Sequence, residues 1–75
     1  MHPFLRGRPN STLTEREIEV LKLIAEGLID REIGARLCIS PETVKRHGSN
    51  IRNKIGLDNR TEMALFAIRQ GLATA

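Results

Sequence analysis

Apolar residues recur at helical spacing in the first third of the chain, and capping signals mark both ends of this segment. One stripe of a helix would carry Ile18, Leu21, Ile24, Ala25 and Leu28. Thr14 and Glu17 have the spacing of a capping box, in which each residue satisfies a backbone amide of the other. Gly27 is suited to the position just beyond a helix end. The pattern therefore predicts a first helix that begins after Thr14 and ends before Gly27.

The next segment predicts a short second helix followed by a tight turn. Asp30 can act as its N-cap, and Ile33 and Leu37, four residues apart, share its buried face. Gly34 lies beside them, and its missing side chain allows another helix to come close. The turn is expected over residues 38–40.

Beyond this turn, Ser40 as N-cap and Pro41 as first helical residue form the clearest helix start in the chain. The helix is predicted from Pro41 to Ile55, with Gly56 as a left-handed C-cap. Its apolar stripe is narrow and consists of Val44, Gly48, Ile51 and Ile55. The opposite side is polar and mostly basic, and it carries Glu42, Lys45, Arg46, Ser49, Arg52 and Asn53. We expect this helix to contact the core along one edge and to expose a long cationic face.

A fourth helix is predicted from Asn59 and Glu62, which resemble a capping box, to about Gln70. It has two apolar faces. The face expected to point to the core carries Ala64, Leu65 and Ile68. The other face carries Met63, Phe66 and Ala67, with Gln70 between them. Because a second apolar patch on so small a domain suggests a partner surface, we expect the second face to be exposed.

These patterns predict an all-α fold, a four-helix bundle that contains a helix-turn-helix. The composition agrees, since strong helix formers are plentiful and runs of β-branched residues are absent. Residues 1–12 show no periodicity and contain Pro3, Gly7 and Pro9, so they are interpreted as a leader or linker. The remaining residues, 13–75, are too few for more than one domain.

The charge is unevenly distributed along the chain. The net charge is −3 over residues 14–30 and +4 over residues 31–60. A basic half favours an anionic partner, although a solvated surface helix would give the same pattern.

Several classes of function are disfavoured by what the sequence lacks. The single cysteine, Cys38, excludes an internal disulfide and a multi-cysteine zinc site, which favours a reducing compartment. In the turn Cys38 is expected to pack against neighbours. His2 and His47 are the only histidines, so metal binding is not expected. We expect no cofactor, no small-molecule substrate and no enzymatic activity, since no catalytic constellation is present. No apolar run is long enough to span a bilayer, and we see no signal peptide, so no membrane partner is expected.

The second and third helices meet the demands of DNA recognition. The major groove of DNA admits one α-helix. Such a helix must face outward over most of its circumference, carry donors for base edges, and place cations or backbone amides near phosphates. The pattern alone leaves a second class of function open, a helical protein-interaction module that uses the fourth helix as its main surface.

Four segments carry a family resemblance: LTEREIEVLKLIAEGL, then EIGARLCIS, then TVKRHGSNIRNKIGL, then NRTE. In this order and spacing, from Leu13 onward, the chain resembles the LuxR/NarL/FixJ-type DNA-binding domain, and dispersed motifs are more specific than a single short one. The resemblance implies a bacterial transcription regulator that binds double-stranded DNA sequence-specifically, with residues 41–55 in the major groove. It also implies a cytoplasmic, nucleoid-associated protein. Most members are output domains of response regulators or ligand sensors.

Carried over by position, the resemblance suggests these DNA-contacting residues: Arg31, Thr43, Lys45, Arg46, His47, Ser49, Arg52 and Lys54. Lys45 is the first choice for a base or phosphate contact, and Arg46 and Ser49 are expected to set the sequence preference. Arg31, Thr43 and Lys54 are expected at phosphates. A solvated side chain is the alternative for each, and for His47 the alternative is a histidine at the boundary of the core.

The resemblance also implies a weak homodimer through residues 60–70, which would place two recognition helices about one DNA turn apart. Its interface is expected at Met63, Phe66, Ala67 and Gln70. RNA polymerase is left open as a further partner. Two departures from the family pattern stand out. Gly48 costs about 1 kcal/mol of helix propensity relative to Ala, and it either permits a close helix contact or loosens the helix. Asp30 stands where the family often has Asn, and its charge would be repelled by a nearby phosphate.

Overall fold

The computed structural model describes residues 13–74, and this part of the chain is all-helical. Its helices, in chain order, are α1 (Glu15–Ala25), α2 (Asp30–Leu37), α3 (Pro41–Ile55) and α4 (Arg60–Arg69). The predicted fold class and the bounds of the third helix are confirmed. The leader predicted over residues 1–12 lies outside the described residues.

The start of α1 is fixed by the predicted capping box. The Thr14 hydroxyl accepts from the backbone N–H of Glu17 at 3.0 Å, and the Glu17 carboxylate accepts from the backbone N–H of Thr14 at 2.9 Å. Gly27, just beyond the end of α1, has a φ of 93°. This left-handed conformation is one that glycine adopts without steric cost, so the sequence signals at both ends of α1 are confirmed.

The start of α2 differs from the prediction by one residue. Ile29 is the N-cap, and Asp30 is the first helical residue. The Glu32 carboxylate accepts from the Ile29 backbone N–H at 3.0 Å, which satisfies an amide at the helix start. The Asp30 carboxylate instead accepts from a guanidinium nitrogen of Arg60 at 2.7 Å. The predicted capping role of Asp30 was wrong because its carboxylate is engaged by a distant arginine.

The turn between α2 and α3 depends on the bare backbone of Gly34. The backbone N–H of Ile39 donates to the Gly34 carbonyl at 2.9 Å, and a Cβ at residue 34 would lie 2.5 Å from the Ile39 carbonyl oxygen. Cys38 ends α2 in the left-handed region, with a φ of 61°. Its side chain is exposed, so the expectation that Cys38 packs was wrong.

One apolar core joins all of these helices. α4 packs on α1, and α3 packs on both α1 and α2. The most deeply buried side chains, with at most 1% of their surface exposed, are Val20, Leu21, Ile33, Val44, Ile51, Met63 and Ala67. No described helix combines the length and apolar character needed to cross a membrane.

The prediction of the exposed face of α4 was wrong. Met63 and Ala67 have no exposed surface and Phe66 has 3%, whereas Leu65 is 43% exposed. Gln70 is half-buried, and both polar atoms of its amide are buried. The two faces of α4 are similar in apolar character, and the one with the larger Met and Phe side chains removes more apolar surface from water when buried. These four residues therefore form the side toward the core and not the predicted dimer surface.

Candidate nucleic-acid interface

α3 is unbroken over its whole length and is held along one edge. Val44, Gly48 and Ile51 are buried, and the helix continues through Gly48 without interruption. A Cβ at Gly48 would lie 3.7 Å from a guanidinium nitrogen of Arg52 and 3.9 Å from Cε of Met63, which are ordinary contact distances. Gly48 therefore neither breaks α3 nor is required by close packing.

The opposite side of α3 is open to solvent. Its exposed polar residues are Glu42, Lys45, Arg46, Asn50 and Asn53. Lys45 and Arg46 were predicted as site residues, and the structure places both on this face. One side of α3 thus presents cations and amide groups to solvent. Recognition of a polyanion with exposed base edges requires both kinds of group.

The N-terminus of α3 is held by its cap. The Ser40 hydroxyl accepts from the Thr43 backbone N–H at 3.1 Å, and the two hydroxyls share a hydrogen bond of 2.9 Å. Thr43 is half-buried. Its hydroxyl was expected at a phosphate, and in the structure it is hydrogen-bonded to Ser40 at the start of α3. Arg31 is exposed in the first turn of α2, where a phosphate contact was expected.

Ser49 and Arg52 are joined to each other and to α4. A guanidinium nitrogen of Arg52 donates to the Ser49 hydroxyl at 3.2 Å, and the other terminal nitrogen lies 3.8 Å from Sδ of Met63. Both residues are half-buried. The side chains of Ser49 and Arg52, both predicted as site residues, therefore contact other side chains of the domain instead of extending into solvent.

Lys54 forms an internal ion pair. Its ammonium lies 2.8 Å from the carboxylate of Glu17, whose side chain is only 4% exposed. Burial by itself raises the pKa of Glu17, but hydrogen bonds from Lys54 and from the Thr14 backbone, together with the charges of Lys54 and His47, outweigh burial and lower this pKa. Lys54 was expected at a phosphate, and the structure instead uses its ammonium to join α3 to α1.

His47 lies at the boundary of the core. It is half-buried, its Nδ1 atom is buried, and its charge acts on the nearby Glu17. This placement favours the boundary histidine over the phosphate contact. Among the described residues, no cluster of His, Cys, Asp and Glu side chains could hold a metal ion.

Sequence reasoning missed Arg60. Its guanidinium donates to the Asp30 carboxylate at 2.7 Å and to the Leu28 carbonyl at 2.8 Å, so it joins the start of α4 to the loop between α1 and α2. Arg60 also counters the negative charge of Asp30, which reduces the expected repulsion of a phosphate. Thirty residues separate the two charges, and no local pattern in the sequence links them.

Asn50 was also missed, although it lies four residues after Arg46 and helical spacing places it on the same side of the third helix. The structure shows the Asn50 side chain exposed between the turns that carry Arg46 and Asn53. Its carboxamide carries both a hydrogen-bond donor and an acceptor, so helical periodicity was the signal that could have identified it.

A short helix, a tight turn and a long helix with an open polar face define a helix-turn-helix domain. Residues 11–67 match the family described as "Bacterial regulatory proteins, luxR family", and the chain belongs to this family. It is 47% identical over 64 residues to the transcriptional regulatory protein LiaR of Bacillus subtilis, with 85% of this chain and 30% of LiaR covered.

Two further relatives are similar in extent. Identity is 44% over 68 residues to the transcriptional regulatory protein LnrK of Bacillus subtilis, covering 88% of this chain and 31% of LnrK. Identity is 43% over 60 residues to the response regulator protein VraR of Staphylococcus aureus, covering 80% of this chain and 29% of VraR. The chain thus spans about a third or less of the length of these relatives.

Proposed function

We propose that this chain binds double-stranded DNA sequence-specifically, with α3 in the major groove, and that it regulates transcription in the bacterial cytoplasm. The observation that carries the proposal is the open polar face of α3, which extends along an unbroken helix anchored only by its opposite edge. A groove that accommodates one helix requires this one-sided anchoring. The names of the relatives, transcriptional regulatory proteins and response regulators, agree with it.

The charges around α3 support contact with a phosphate backbone. Lys45 and Arg46 are exposed, and neither makes a hydrogen bond or ion pair with another described residue. Arg31 offers a third exposed cation at the start of α2. Phosphate contacts of this kind position a recognition helix, while donors on the same face discriminate among base edges.

Salt dependence of binding to duplex DNA tests the proposal. Each neutralised phosphate releases counterions, so the logarithm of the binding constant should fall linearly with the logarithm of salt concentration, by about 0.9 per phosphate contacted. Fluorescence anisotropy of a labelled duplex, titrated with the 75-residue chain at several salt concentrations, measures this slope. Affinity that does not change with salt would contradict DNA binding and would favour the protein-interaction module.

A matched pair of lysine variants locates the contact. Lys45→Ala is expected to weaken binding by about 1 to 3 kcal/mol if Lys45 contacts a base, or to reduce the salt slope by about 1 if it contacts a phosphate. Lys22→Ala removes an exposed lysine from α1 and should leave both quantities unchanged. If both variants lose the same affinity, the effect reflects net charge alone, and α3 is not the surface that contacts DNA.

We further propose a weak dimer through α4, with the interface on its outward face. This face carries the exposed Leu65 and the half-buried Ala64 and Ile68. A two-fold pair of domains would present two α3 helices to successive half-sites, about one DNA turn apart. Contact of the bound regulator with RNA polymerase is a further part of the proposal and would connect binding to transcription.

A further inference from the structure

Arg46 and Asn50 lie close together on the outer side of α3. Each residue advances about 100° around a helix, so these two, four residues apart, are separated by about 40°. Both side chains are exposed, whereas Val44, Gly48 and Ile51 on the other side are buried. A groove that receives α3 would meet Arg46 and Asn50 together.

The structure leaves Asn50 free and engages its neighbour Ser49. The Ser49 hydroxyl already accepts from Arg52 at 3.2 Å, and Arg52 in turn contacts Met63. The Asn50 amide makes no hydrogen bond with any other described residue. Of these two adjacent polar residues, Asn50 has both its donor and its acceptor available to a ligand.

The amide of Asn50 matches one base in particular. A carboxamide can accept from N6 and donate to N7 of adenine, while an arginine donates to O6 and N7 of guanine. Four residues of helix correspond to about 6 Å along its axis, and successive bases are about 3.4 Å apart. The spacing of Arg46 and Asn50 therefore corresponds to about two base pairs.

We propose that Asn50 is a specificity-determining residue that recognises an adenine, about two base pairs from a guanine recognised by Arg46. This inference rests on the proposed function, since it names the bases that α3 recognises. The sequence suggested Arg46 and Ser49 as the residues that set the sequence preference. The proposal keeps Arg46 and replaces Ser49 with Asn50 in this role.

Selection of binding sites from random duplexes tests the assignment. The 75-residue chain is compared with Asn50→Ala and with Lys22→Ala. Lys22 is the control, because its side chain is exposed but lies on α1, outside the helix-turn-helix. Thermal unfolding of each variant checks that the domain remains folded.

The expected result is specific to one position of the selected site. Asn50→Ala should lose a preference for adenine of about 5- to 150-fold and keep the guanine about two base pairs away. Lys22→Ala should select the same sites as the unchanged chain. Unaltered selection by Asn50→Ala overturns the assignment while the proposed function stands, whereas a chain that enriches no sequence at all overturns sequence-specific binding itself.

Discussion

Gly34 and Gly48 both lie within the helix-turn-helix, yet their surroundings differ. A side chain at residue 34 would meet the carbonyl oxygen of Ile39 at 2.5 Å, and this oxygen belongs to the backbone of the turn. A side chain at residue 48 would meet only the ends of Arg52 and Met63, at 3.7 and 3.9 Å. The first glycine is required by the turn, and the second is tolerated by the helix.

The two glycines predict opposite effects on stability. Gly34→Ala should lower the free energy of unfolding by about 1 to 3 kcal/mol, because the turn must move to admit a methyl group. Gly48→Ala should raise it by about 1 kcal/mol, since alanine has the higher helix propensity and the methyl group fits. Thermal denaturation followed by circular dichroism measures both changes. Changes of the same sign in the two variants would mean either that a methyl group fits at Gly34 or that it clashes at Gly48.

At the same scale, sequence reasoning succeeded where a residue acts on its immediate neighbours. The cap formed by Thr14 and Glu17 and the start at Ser40 were predicted because each involves atoms three residues apart. The ion pair of Lys54 with Glu17 joins residues 37 positions apart. No local pattern encodes such a pair, which is why the sequence did not predict this contact of Lys54.

At the scale of helices, α3 was predicted correctly because its signals agree with one another. Ser40, Pro41 and Gly56 mark its ends, and its narrow apolar stripe faces a single direction. The long polar face, the main feature of the candidate site, followed from the same periodicity.

The orientation of α4 could not be predicted in the same way. Its ends were predicted, but apolar residues occur on two of its sides, so periodicity does not decide which side is buried. The deciding factor is tertiary: the side that carries Met63 and Phe66 joins the core that all of the helices share. The prediction that Met63, Phe66 and Ala67 are exposed was wrong for this reason.

For the whole molecule, the corrected orientation of α4 changes how a dimer should be tested. Phe66 is 3% exposed, so a charge there would disrupt the core, whereas Leu65 is 43% exposed. Leu65→Glu should leave the domain folded and weaken binding to a duplex with two half-sites by about 5- to 150-fold, through loss of the coupling between the sites. Electrophoretic mobility shift with paired and single half-sites measures this coupling.

The single half-site serves as the internal control for this variant. Leu65 lies on α4, outside the helix-turn-helix formed by α2 and α3, so Leu65→Glu should bind a single half-site as the unchanged chain does. Unaltered cooperativity at the paired site would place the dimer contact outside the outward face of α4.

The proposed function requires the polar face of α3 to enter the major groove as one continuous surface. The most direct measurement is the change in amide chemical shifts when the ¹⁵N-labelled chain is titrated with a duplex that carries its selected site. The largest changes are expected over residues 41–53 of α3 and in the first turn of α2. Changes confined to α1 and α4, with α3 unaffected, would contradict this mode of DNA binding.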